Sequence, residues 1–206
     1  MNKLSWKHFG LVFTVICLLI TGSVPFLLAT NKTSDSKVAI GSVANLPALV
    51  KGAFLTNDAG RHVSVLHYTL HNSSEEPLQK FQVIVYIKDS YGQIKGGESW
   101  VDHSLVEAGE FKNLSNPLGH YVEADQNILV VLKAVSGVSM AWDAPAALSH
   151  AEVIAGRATA GPIPAITECP PNFCQTYVQV AREVCTNGVK SYSCDALKCT
   201  VTFTCN

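Results

Sequence analysis

The sequence predicts an all-β protein, an antiparallel sandwich followed by a small disulfide-rich C-terminal module. Short runs of alternating apolar and polar residues recur between clusters of turn formers across residues 47–145. Between those runs no segment has the length and helical period that parallel crossovers would need. Six of the seven cysteines then crowd into residues 169–205.

The first strand spans residues 49–56 and ends at the turn cluster Asn57-Asp58-Ala59-Gly60. Residues 63–70 alternate, with Leu66, Tyr68 and Leu70 on one face, and Asn72-Ser73-Ser74-Glu75-Glu76-Pro77 stops them. In residues 81–87, Phe81, Val83, Val85 and Ile87 share a face, opposed by Gln82, Ile84 and Tyr86. Asp89-Ser90-Tyr91-Gly92 turns the chain into a strand over residues 93–101, interrupted by Gly96-Gly97. After a turn at Glu107-Ala108-Gly109-Glu110, strands over residues 127–136 and 138–142 complete the series.

Leu66-x-Tyr68-x-Leu70-x-Asn72, Pro77-Leu78, Val83-x-Val85-Tyr86, Asp89-x-x-Gly92, Leu105 and Ala108-Gly109-Glu110 together resemble the FxLYD-type immunoglobulin-like domains of bacterial envelope proteins. The resemblance covers roughly residues 47–145 and rests on turn and core positions. It implies an extracytoplasmic immunoglobulin-like sandwich of interaction or spacer type, with no catalytic residues to carry over.

Lys3 and Lys7 precede an uncharged stretch over residues 9–29. A basic start followed by an apolar run is the pattern of an export signal. Thr21-Gly22-Ser23 offers a start for a cleavage region, whereas Leu27-Leu28-Ala29 places a large residue where a small one is preferred. Uncleaved, residues 9–29 just span a bilayer and would provide membrane contact. Signal and anchor both stay open. The resulting division is 1–30 signal or anchor, 31–46 tether, 47–150 sandwich, 151–168 linker and 169–206 cysteine-rich module. The expected location is extracytoplasmic: secreted, periplasmic or membrane-anchored.

The cysteines Cys169, Cys174, Cys185, Cys194, Cys199 and Cys205 follow the spacing C-x4-C-x10-C-x8-C-x4-C-x5-C. Units below about 40 residues bury too little apolar surface to fold unaided and usually need cross-links or metals. An even count behind an export signal reads as three disulfides, with 15 possible pairings. Zinc on Cys169/Cys174 and Cys194/Cys199 is the competing reading, and it leaves Cys185 and Cys205 unexplained. Within this segment Val201 and Phe203 alternate with Thr200, Thr202 and Thr204, and the threonines read as a solvated strand face.

Other constellations carry little chemistry. His67 and His71 lie on a strand, about 13 Å apart, too far to share one metal ion. Asp102-His103-Ser104 are neighbours on a strand whose side chains point to alternate faces, so they form no relay. Gly137-Val138-Ser139-Met140-Ala141, with Asp143 and His150 after it, resembles a nucleophile elbow without the strand-to-helix turn that an elbow requires. Trp100, Trp142, Tyr91 and Tyr121 read as core or strand-end aromatics. No phosphate loop, dinucleotide fingerprint or cofactor motif is present. A formal charge of −1 leaves no basic excess for nucleic acid.

These readings favour a non-catalytic secreted or membrane-anchored protein that binds an unidentified protein or cell-surface ligand. The alternatives are a secreted inhibitor or effector acting through the cysteine-rich segment, and a small hydrolase using Ser139.

Overall fold

The computed structural model describes residues 38–138, 140–143, 152, 157–164, 169 and 172–206. The export segment at 9–29, Ser139 and His150 lie outside these residues. The elements in chain order are β1 (Val38–Gly41), β2 (Ala48–Asp58), β3 (Val63–Asn72), β4 (Leu78–Lys88), β5 (Ile94–Asp102) and β6 (Phe111–Pro117). They continue with β7 (Asn127–Gly137), β8 (Met140–Asp143), β9 (Gly161–Pro164), α1 (Phe173–Val184), β10 (Val189–Asp195) and β11 (Thr200–Cys205).

The strands form two sheets. The larger has the order β10-β11-β5-β4-β7-β8-β9, with β1 parallel to the first half of β7, and the smaller is β2-β3-β6. Ser64, Leu66, Tyr68, Leu70 and Asn72 are all buried on one face of β3, as the period-2 pattern requires. They meet Phe81, Val83, Val85 and Ile87 of β4 and Trp100 of β5 across the sandwich. Tyr68 donates to Asp102 Oδ2 at 3.1 Å and so ties the two layers together. Asn72 Nδ2 donates to the carbonyls of Glu76 and Val106, which fixes the connections at the strand ends.

The opposite, outer face of the large sheet is also covered. Ile84, Tyr86, Leu129 and Val131 are buried there, although a sandwich face turned to solvent would present polar groups. The cover is α1, whose buried residues Phe173, Tyr177, Val180, Ala181 and Val184 follow the helical period. Gln82 Nε2 donates to the Tyr177 hydroxyl at 2.7 Å, pinning the helix to β4. The sequence signals this helix through the same 3.6-residue spacing, which lies among the cysteines.

The cysteine-rich segment, expected as a separate module, therefore continues the sandwich. β11 pairs antiparallel with β5, from Val201↔Ser99 to Thr204↔Gly96, and Val201 and Phe203 join the common core. Gly96-Gly97 permits this pairing. A Cβ on Gly97 would lie 2.8 Å from the Phe203 ring and 2.8 Å from the Val85 carbonyl, and one on Gly96 would lie 2.7 Å from the Phe203 carbonyl. The glycines that read as a strand interruption are where the C-terminal strand seats.

The flanking segments differ in the same way. The expected tether contributes β1, and the described part of the expected linker contributes β9. Ala44 N donates to Ala158 O at 2.7 Å and Ala160 N to Ala44 O at 2.9 Å, so the two segments hold each other against the sheet. The half-buried β11 threonines also differ from the solvated face expected of them, since Thr202 faces Glu98 and Thr204 bonds Ser191.

Candidate functional site

The disulfides pair Cys169–Cys199, Cys174–Cys194 and Cys185–Cys205, with Cα separations of 5.6, 5.8 and 5.2 Å. Two of them bind α1 near its ends to the β10–β11 hairpin, and the third ties the chain just before the helix to the hairpin turn. The Tyr192 hydroxyl adds a hydrogen bond to Cys174 O at 2.7 Å. Helix and hairpin are thereby a single clamped unit, and β11 fastens that unit to β5.

Where this unit leaves the outer face of the large sheet uncovered, a cleft of about 540 Å³ opens. Its floor follows from strand register. One row runs Val101, Gln82, Ala134 and Asp143 across β5, β4, β7 and β8. The next contains Lys80, Ser136 and Ala141, with His103 one residue beyond the Phe81↔Asp102 pair. Phe173 and the Cys169–Cys199 disulfide form one wall, and Ala196, Leu197 and Lys198 of the hairpin turn form the mouth. Asp195 Oδ1 accepts from the amides of Leu197 and Lys198 and shapes this turn, which leaves Leu197 97 % exposed.

Within the cleft, the Lys133 ammonium, only 4 % exposed, donates to Asp143 Oδ1. That bond matches the charge of the carboxylate on the cleft floor. Beside the cleft, burial pushes the Tyr177 hydroxyl far above the ordinary tyrosine range, so it stays protonated. Burial likewise pushes Tyr86 up to about 12.

A second surface is the outer face of the small sheet. Register aligns Leu49, His71 and Phe111, then Gly52, Thr69 and Asn113, then Phe54, His67 and Ser115. None of these nine residues is an acid or a lysine or arginine. Phe54 stacks on His67 at 4.7 Å and Phe111 on His71 at 4.0 Å, and the two phenylalanines remain 59 % and 60 % exposed. His67 also bonds Thr56 Oγ1 at 2.9 Å. Each imidazole is thus engaged with a different aromatic, and the strand separates the two histidines as the sequence indicates.

A third feature escaped sequence reasoning. Glu98 lies in β5 facing the small sheet, 6 % exposed, with Oε2 accepting from Gly119 N–H at 2.9 Å. Its other oxygen has no hydrogen-bond partner among the described residues. Burial raises its pKa to about 7, partly offset by the Gly119 bond. A lone acid in a Gly/Ser-containing strand carries no sequence signature of burial.

The remaining candidates disperse. Asp102 is occupied by Tyr68 and by the Ser104 amide at 2.8 Å, while His103 is exposed at the cleft. Trp100 is buried, Tyr91 projects from a turn, and Tyr121 stacks on His62 at 4.2 Å, so these aromatics make no shared platform. Among the described residues no group of three or more His, Cys, Asp or Glu side chains is placed to hold a metal. No helix among them is long and apolar enough to cross a membrane. No family model matches the chain, and neither a curated protein nor a solved structure is similar to it.

Proposed function

We propose that the chain is a non-catalytic binding protein of the extracytoplasmic space and that its ligand enters the cleft on the outer face of the large sheet. It is secreted, periplasmic, or held at a membrane by residues 9–29. The observation that carries this reading is the clamped helix and hairpin, which turn a plain sheet face into a walled cleft. Three disulfides suit an oxidising compartment, where such a clamp persists. A volume of about 540 Å³ falls within the range of small-molecule sites. Nearby carboxylates are occupied, Asp143 by Lys133 and Asp102 by Tyr68, so His103 has no acid partner to make it a base.

Replacing Ala134 on the cleft floor with Trp would fill the site from a residue whose neighbours are other floor residues. A small-molecule thermal-shift screen of the oxidised full chain should yield ligands that the variant loses while keeping its circular dichroism. Ligands that bind wild type and Ala134→Trp alike would remove the cleft from this account.

A second reading rests on the uncharged face around Phe54 and Phe111, a surface suited to docking a protein partner. It predicts that Phe54→Ser with Phe111→Ser abolishes binding to cell-surface material and that Ala134→Trp does not. The reverse pattern refutes it.

A further inference from the structure

Resting on the cleft as a binding site, we infer that its ligand is a small anionic amphiphile, with its charged group at the hairpin mouth and its apolar body inside. The argument starts from where the register puts charge. Val201 pairs with Ser99, so two residues back along β11 the chain at Cys199 comes beside Val101. Lys198 and Leu197 thereby reach the end of β5 that bears His103, and Lys80 occupies the adjoining strand. Lys80, His103 and Lys198 are thus gathered at one end of the cleft.

The opposite charge is scarce there. Asp143 is the single carboxylate lining the cleft among the described residues, and the Lys133 ammonium beneath it matches its charge. The Lys198 ammonium also meets Asp195 Oδ2, at 3.8 Å, but both groups are solvent-exposed, and such a pair is worth little. The mouth therefore presents net positive potential to an entering anion.

Further in, the chemistry is apolar. Val101, Ala134, Ala141, Phe173 and the Cys169–Cys199 disulfide provide surface without donors or acceptors, and the Gln82 amide is already engaged by Tyr177 and Ser99. A fully polar ligand such as a sugar would leave its hydroxyl groups unpaired against this surface, at a cost of about 1–3 kcal/mol each. An apolar ligand without charge would gain nothing from the mouth. A carboxylate on an alkyl or aryl body satisfies both ends, and Leu197 is positioned to cover that body at the entrance.

Titration calorimetry of the oxidised full chain with decanoate, decanol and decylammonium, each below its aggregation limit, tests the assignment. Decanoate should bind at least tenfold more tightly than decanol, with decylammonium weakest, and the preference should shrink at high salt. Lys80→Gln with Lys198→Gln should bring decanoate down to the affinity of decanol. Equal binding of all three probes would overturn the anionic assignment while leaving the cleft a binding site. Binding of none would overturn the amphiphile assignment, and the library screen against Ala134→Trp then decides separately whether the cleft binds anything.

Discussion

Glu98→Gln offers a perturbation whose size and direction both follow from the structure. Glu98 is raised from 4.5 to about 7 by burial between the sheets, so the folded protein holds a proton there that the unfolded chain releases. A raised acid contributes its stability in full below pH 4.5 and loses it as the pH climbs through about 7. At about 1.4 kcal/mol per pKa unit, the loss across this window is about 3 kcal/mol. The glutamine keeps an acceptor for Gly119 N–H and has no charge to bury. It does place an amide donor where Oε1 has no partner among the described residues, so its absolute stability carries an added cost of about 1–3 kcal/mol. That cost does not vary with pH. The clean observable is therefore the stability of wild type minus that of the variant, from urea unfolding of the disulfide-intact proteins at pH 4, 5.5, 7 and 8. The difference should fall by about 3 kcal/mol from the lowest pH to the highest. A difference independent of pH would refute the buried, protonated Glu98.

Three further outcomes can be checked by unfolding and exchange. Gly97→Val places side-chain atoms against Phe203 and the Val85 carbonyl; melting should show a loss of at least about 1–3 kcal/mol, with faster amide exchange in β11 than in β3. Phe81→Ala removes a fully buried ring from between the sheets and should cost about 3–5 kcal/mol by urea titration. A chain ended at Ala155 loses β9, α1, β10 and β11 and exposes Ile84 and Tyr86 on the outer face. Calorimetry should find its cooperative transition lowered sharply or absent, whereas the sequence alone suggests that residues 47–150 suffice.

The extent to which the fold is legible in the sequence depends on how each strand is buried. β3 has one face buried, and its alternation of Leu66, Tyr68 and Leu70 gives strand, face and core together. β4 is buried on both faces over Ile84–Ile87; the alternation fixes its inner face but cannot show that a helix covers the outer one. β6 is missed because no residue in it is fully buried, so Phe111–Pro117 has no apolar period to detect. The short β1 and β9 look like connectors because their order comes from hydrogen bonds to distant strands, which small residues such as Ala44 and Ala158 do not announce. The cysteines reveal a clamp, yet their spacing is silent on what is clamped. The cleft depends on β11 docking beside β5, a pairing across about a hundred residues of sequence that only the paired glycines Gly96 and Gly97 foreshadow.

Hydrogen exchange on the oxidised full chain tests most directly whether the cysteine-rich segment is an integral wall of the sandwich. If β11 belongs to the large sheet, the amides of Val201–Thr204 should exchange with those of β5 and β4, through the same opening and with a free energy close to that of global unfolding. Exchange of Val201–Thr204 at a much lower opening free energy, while β4 and β7 stay protected, would show the C-terminal unit detaching on its own, and the cleft as a joint site would not stand.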